Sequence, residues 1–168
     1  MREINDLLQK IRNKIQNPRE ELPEEIFLFA TEITPMVNVD LLIYDNDGRI
    51  LLSWRDDKFY DKGWHVPGGI LRLQETFEQR IQRTALDEIG CMVEHSGEPI
   101  EIVPIICKDM VQRSHFISFV YKCKLTEGYE INNGEKKENE AGYLKWFEKC
   151  PDNLLDVHSF YKKYFKEI

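Results

Sequence analysis

The chain has 168 residues, 30 of them acidic and 23 basic, for a formal net charge of −7 with 42% hydrophobic and 32% charged side chains. That size and balance suit one globular domain with a sizeable core. Without any long basic run they exclude a nucleic-acid polymer as partner, because such binding rests on Lys and Arg neutralising phosphates. No apolar run reaches membrane-spanning length and the charged N-terminus lacks the apolar core of a signal peptide, so the expectation is a cytoplasmic protein that engages no membrane. Cys91, Cys107, Cys123 and Cys150 lie far apart with no C-x-x-C pair. They read as free thiols, not as zinc ligands or a disulfide framework.

In chain order, residues 4–18 place Ile4, Leu7, Leu8, Ile11 and Ile15 on one face of a helix that Asn17-Pro18 ends. Pro23 to Ala30 predicts a second short helix, with Pro at its first position and acids in its first turn. Residues 1–33 thus form an N-terminal helical extension, serving for packing, for pairing as a homodimer, or as a lid; residues 34–168 form the domain proper. Met36 to Tyr44 is a strand, and Asp47-Gly48 predicts a hairpin turn into the strand Arg49 to Leu52. Asp40 interrupts that apolar strand, so its charge needs either an arginine partner or a ligand. Ser53 to Gly63 is a polar and aromatic loop. In it Arg55 is placed to grip a diphosphate, and Trp54, Phe59 and Tyr60 either stack on a base or sugar or anchor the loop.

A Gly68-Gly69 loop then leads to a helix whose start is a capping box, Thr76-Phe77-Glu78-Gln79. Phe77, Ile81, Ala85 and Ile89 make its apolar stripe and Gly90 its stop. The polar face carries Arg80, Arg83, Thr84, Asp87 and Glu88, with Arg83 one turn from Asp87. Two carboxylates in the last turn oppose the helix dipole, at about 0.3–1 kcal/mol each. A divalent cation would neutralise them, and hard oxygen ligands suit Mg²⁺ or Mn²⁺. Beyond the helix, Ile100–Ile106 and Phe116–Cys123 read as antiparallel strands. Asn132–Gly142 is an acidic loop before the strand Tyr143–Phe147, and residues 153–168 form an amphipathic C-terminal helix packed through Leu154, Leu155, Val157, Phe160, Tyr161, Tyr164 and Phe165.

The spacing Gly69-x5-Glu75-x7-Arg83, then Asp87-Glu88 and Gly90, resembles the Nudix box, G-x5-E-x7-R-E-U-x-E-E-x-G-U with U aliphatic, and Trp64-His65-Val66-Pro67-Gly68 resembles its usual lead-in. Thr84 stands where the box has its first glutamate and Asp87 where it has its second. The resemblance covers roughly residues 35–150. It implies an α/β fold, a Nudix-type α/β/α sandwich with a mixed central sheet. It also implies metal-dependent hydrolysis of a small-molecule nucleotide derivative, a nucleoside diphosphate linked to another moiety, by a water. Carried over by position, Asp87 and Glu88 are metal ligands together with the Gly68 carbonyl. Glu75 and Arg83 form the salt bridge that shapes the loop, and Glu140 is the base, with Glu138 and Glu135 behind it. Thr34–Asp40, Leu51–Arg55 and Trp64–Gly69 are similar to the GDP-mannose mannosyl hydrolase subgroup, whose matching positions here are Asp40, Arg55, Arg83 and Glu88. Ile70 replaces the subgroup's arginine, with Arg72 two residues on, and Ala141 replaces its histidine base. A nucleotide sugar is therefore the first candidate substrate; the alternatives are nucleoside triphosphate hydrolysis or a non-catalytic nucleotide sensor, which the loss of the acid at Thr84 favours.

Overall fold

The computed structural model describes residues 2–166. Two helices open the chain, α1 (Arg2–Arg12) and α2 (Glu24–Ile33). The first ends earlier than Asn17-Pro18 implies, and the second runs on to Ile33. Strand β1 (Met36–Ile43) is the centre of a mixed sheet. It pairs parallel with β7 (His115–Leu125) and antiparallel with β4 (Gly68–Ile70). The far edge of β7 takes β5 (Val93–His95) and β6 (Glu101–Ile106), both antiparallel. A second, antiparallel sheet runs in the order β3-β2-β8, from β3 (Gly63–His65), β2 (Ile50–Arg55) and β8 (Leu144–Phe147). The turn at Asp47-Gly48 forms as the sequence predicts, with Arg49 N–H donating to Asp45 Oδ1 at 2.8 Å. Its two strands do not make a hairpin, however. Apart from one bridge between Tyr44 and Ile50, β1 and β2 go to different sheets.

Both faces of β1 are buried, which explains its nearly unbroken apolar run. Val39, Leu41 and Ile43 pack on α3 (Phe77–Glu88) through Ile81, Ala85 and Ile89. Leu42 packs in a second core with Ile50, Leu52, Trp54, Trp64 and Tyr161. The chain is therefore α/β, with sheets layered between α3 and a C-terminal helical segment. That segment is a 3-10 helix (Asp156–Tyr164), shorter and tighter than the amphipathic α-helix the sequence suggests; residues 167–168 lie outside the described residues. α3 itself is as predicted. Thr76 accepts from Gln79 N–H, Gln79 returns the bond, and Gly90 ends the helix with a left-handed φ of 89°. Among the described residues no helix is long and apolar enough to cross a membrane, and all four cysteines are free.

Candidate active site

The site grows from the register of β4 on β1, which sets Gly69 opposite Val39 and Gly68 opposite Asp40. A Cβ on Gly68 would run into Asp40 Oδ1, and one on Gly69 into Thr84 Oγ1. Glycine alone lets this backbone lie so close to both β1 and α3. Downstream, Glu75 holds the loop. It accepts from Arg72 N–H at 2.8 Å and takes a two-pronged bond from Arg80, Nε at 2.8 Å and Nη2 at 2.9 Å. This corrects the sequence expectation that Arg83 is its partner. Arg80 is buried on the face of α3 that meets β4, whereas Arg83 is exposed and only approaches Asp87, at 3.9 Å. The loop reaches Glu75 through Gln74, whose φ of 62° turns the chain back toward the first turns of α3. Thr84, expected on the polar face, is also buried, and its hydroxyl has no hydrogen-bond partner.

The two acids at the end of α3 diverge. Glu88 turns inward, accepting from Gly68 N–H at 3.3 Å and lying 3.4 Å from His65 Nε2. Asp87 turns to solvent with 65% of its side chain exposed, so Asp87 and Glu88 do not form the adjacent ligand pair expected of them. The acid that meets Glu88 is Asp40. It pairs with no arginine: Asn38 Nδ2 donates to its Oδ1 at 2.7 Å, and the hydroxyls of Ser118 and Tyr161 donate to its Oδ2. Burial pushes the Asp40 pKa up to about 6; the Ser118 and Tyr161 bonds oppose the rise and the Glu88 charge adds to it. Burial, with the Asp40 charge, raises Tyr161 well above the ordinary tyrosine value, so it stays protonated and donates.

Gly68, Gly69 and Asp40 line a cavity of about 530 Å³. Arg55, Arg72, Arg80 and Arg113 give it a cationic wall, Asn38, Tyr60 and His158 add neutral polar groups, and Glu21 and Glu24 bring two acids to its rim. Burial lowers the Arg72 pKa, and the charge of Arg80 adds to the effect. Arg55 and Tyr60 both line the cavity, with the guanidinium 5.5 Å from the ring centroid. Trp54 is not a stacking surface. It is buried edge-on against Trp64 at 5.2 Å, because its place in β2 points it into the second core. Glu140 is exposed, does not line the cavity, and accepts from Lys137 N–H within its own turn at 3.0 Å. His158 was not singled out by sequence. Burial pushes its pKa well down, and Val66 N–H donates to its Nδ1 at 3.3 Å, which leaves the ring proton on Nε2. Neither was Arg113 assigned a role, nor Phe27 of α2, which also lines the cavity. These three come from segments distant in sequence that carry no motif, so only the fold brings them in.

The donor set fits a hard divalent cation. Glu88 and Asp40 offer carboxylate oxygens beside the Gly68 backbone, and Asp40 holds its charge in a desolvated place where a cation would relieve it. Among the described residues no three acidic, histidine or cysteine side chains converge as a ligand cluster. Such a lean set is typical of Mg²⁺ held by one or two carboxylates, water and substrate phosphates.

The NUDIX domain family profile matches residues 34–165. The low-salt glycan biosynthesis protein Agl8 of Haloferax volcanii is 32% identical over 79 residues, covering 47% of this chain and 50% of that protein. The chain thus spans about half the length of that curated relative. Among solved structures, a MutT NUDIX hydrolase from Burkholderia pseudomallei superposes with a TM-score of 0.60 at 21% identity, covering 79% of this chain and 99% of that one. A UDP-X diphosphatase superposes with a TM-score of 0.57 at 19% identity and covers 97% of this chain and 75% of its own. At these identities the two structures speak to the fold.

Proposed function

The chain belongs to the Nudix hydrolase family, whose members act with a divalent cation on small nucleotide derivatives, and from that premise we propose that it hydrolyses a nucleoside diphosphate linked to a sugar, in the cytoplasm, with Mg²⁺ or Mn²⁺. The observation that carries this reading is the cavity itself: an arginine wall lining it together with Asp40 and the Gly68-Gly69 backbone, with Glu88 bonded to Gly68 N–H alongside. Arginines recognise phosphoryl oxygens through planar paired donors, and a carboxylate pair holds the counter-cation. The sugar part of the proposal draws on the glycan-biosynthesis relative and on the nucleotide-linked substrate named for the UDP-X diphosphatase.

In this reading Glu88, Asp40 and the Gly68 carbonyl hold the cation, with Asp87 positioned to approach only if the end of α3 shifts. When bound, the cation would offset charge on the phosphoryl oxygens and the leaving group. Arg55 and Arg72 bind and orient the diphosphate. The Glu75–Arg80 bridge fixes the loop that presents Gly68 and Gly69. His158 donates from Nε2. Glu140 would serve as base only by giving up its bond to Lys137 N–H and swinging the loop toward the cavity. The exposed stripe Ile4, Leu7, Leu8 and Ile11 of α1 is taken as the contact between two copies in a homodimer.

The test is a turnover screen with Mg²⁺ or Mn²⁺ over nucleotide sugars, dinucleotides and nucleoside triphosphates, with products resolved by chromatography. Nucleoside monophosphate plus sugar phosphate marks attack at phosphorus, and nucleoside diphosphate plus free sugar marks attack at the anomeric carbon. Tight binding with no product in any case overturns the hydrolase reading in favour of a sensor.

A further inference from the structure

Arg113 sits in the connection between β6 and β7, outside every motif of the chain, yet it lines the catalytic cavity. Its backbone is in the left-handed region, with φ 52°, a conformation an arginine rarely adopts without something holding it there. What holds it is α2: Arg113 N–H donates to the buried Thr31 Oγ1 at 2.9 Å. Three rings then surround its guanidinium, Phe59 at 4.8 Å, Tyr60 at 5.7 Å and Phe27 of α2 at 5.9 Å. The Tyr60 hydroxyl donates to the Arg113 carbonyl at 3.1 Å, fixing the loop to the same residue.

The caged guanidinium has no anionic partner. Among the described residues it makes no salt bridge, and its Nε is buried without any hydrogen-bond acceptor. Buried donors in native proteins are nearly always satisfied, so an unsatisfied guanidinium on a residue that lines the cavity points to an acceptor supplied by a ligand. A second cation shares the same ring: Arg55 lies 5.5 Å from the Tyr60 centroid. Arg55 has an acid beside it, Asp57 Oδ2 at 3.5 Å from its Nε, but Arg113 has none, so the two guanidinium groups gathered on one tyrosine carry more positive charge than their neighbours offset and favour a further anion between them.

We propose that Arg113 is a substrate-binding residue that, with Arg55, clamps the phosphoryl oxygens of the diphosphate, and that α2 positions it through Phe27 and Thr31. The inference rests on the nucleotide reading of the cavity and adds to it: the helix ahead of the family domain is a wall of the binding site. Planar, rigid donors already stripped of water and held by aromatic faces lose little freedom on binding, which suits a phosphate grip.

The test is calorimetric titration of the full chain, in Mg²⁺, with GDP, UDP, inorganic pyrophosphate and the free nucleosides guanosine and uridine. Arg113→Met is expected to weaken nucleoside diphosphate and pyrophosphate binding by about tenfold or more, the range set by losing charge-assisted hydrogen bonds, and to leave nucleoside binding within about twofold. Arg113→Lys restores part of the loss, and on any substrate turned over the loss falls mainly on KM. Phe27→Leu gives a smaller loss in the same direction, and serves if Arg113→Met fails to fold. Unchanged diphosphate binding in Arg113→Met overturns the proposal, as does an equal loss for nucleoside and diphosphate, which would make Arg113 a packing residue. If the wild type binds diphosphates without turning anything over, the hydrolase reading falls and the Arg113 clamp stands or falls on the same titrations. If it binds neither diphosphates nor pyrophosphate, both fall.

Discussion

At Asp40 a carboxylate gives up its water for three hydroxyl and amide donors while a second carboxylate, Glu88, lies close by. Its folded pKa of about 6 is above its ordinary 3.8, so between those values the folded chain holds a proton that the unfolded chain releases. This group's contribution to stability is therefore full below pH 3.8 and is lost as pH rises through 6. Urea unfolding of the metal-free protein should show that downward slope, and Asp40→Asn should flatten it. A second prediction separates two arginines. The Glu75–Arg80 bridge is nearly buried, and removing one partner strands the other, so Arg80→Met should cost about 3–5 kcal/mol in denaturant unfolding. Arg83→Met, at an exposed and loose pair, should stay within about 0.5 kcal/mol. Spacing alone favours Arg83, since the box motif counts residues along the chain. Which arginine reaches Glu75 depends on the left-handed turn at Gln74, and nothing in the letters around it announces that turn. Asp40 was legible as a charge in need of a partner. Its partners Ser118 and Tyr161 lie 78 and 121 residues away, beyond any local pattern.

Among elements, α3 was the most legible because three independent signals agree on it: a capping box, a four-residue apolar period and a glycine stop. Thr76→Ala removes the cap and should cost about 1 kcal/mol, read in thermal or denaturant unfolding. Strand β4 has a sharper sensitivity. Gly68→Ala would press a methyl group onto Asp40 Oδ1 and the Val39 carbonyl, both part of rigid β1. Turnover on the substrate found by screening should fall at least about tenfold, in line with the penalty for a misplaced reacting group; normal turnover would show that β4 can shift without harm. The hairpin expectation failed for a definite reason. An Asp-Gly turn reports that the chain reverses, whereas the sheet each strand joins is set by distant partners, β7 for β1 and β8 for β2. The C-terminal segment misled in another way, because Leu154 to Phe165 is apolar at spacings that suit a three-residue turn as readily as a 3.6-residue one.

For the whole molecule, the two opening helices divide in role. α2 reaches the cavity through Phe27 and supports Arg113 through Thr31, while α1 leaves Ile4, Leu7, Leu8 and Ile11 exposed. An isolated helix of 11 residues is marginal in water, so that stripe calls for a partner surface. Light scattering should find the full chain as a dimer, and removal of residues 1–14 should leave a monomer that still binds diphosphates; a monomeric full chain would sink the homodimer reading. Removal of residues 1–33 takes a wall of the cavity with it and should abolish that binding. The network around Asp40 also joins chain segments that leave the ribosome at different times. β1 emerges well ahead of Tyr161, whose hydroxyl helps satisfy its buried acid from 121 residues further along the chain. A nascent polypeptide that has made β1, the glycine loop and α3 therefore possesses every motif of the site but lacks the Ser118 and Tyr161 hydroxyls that satisfy its buried acid.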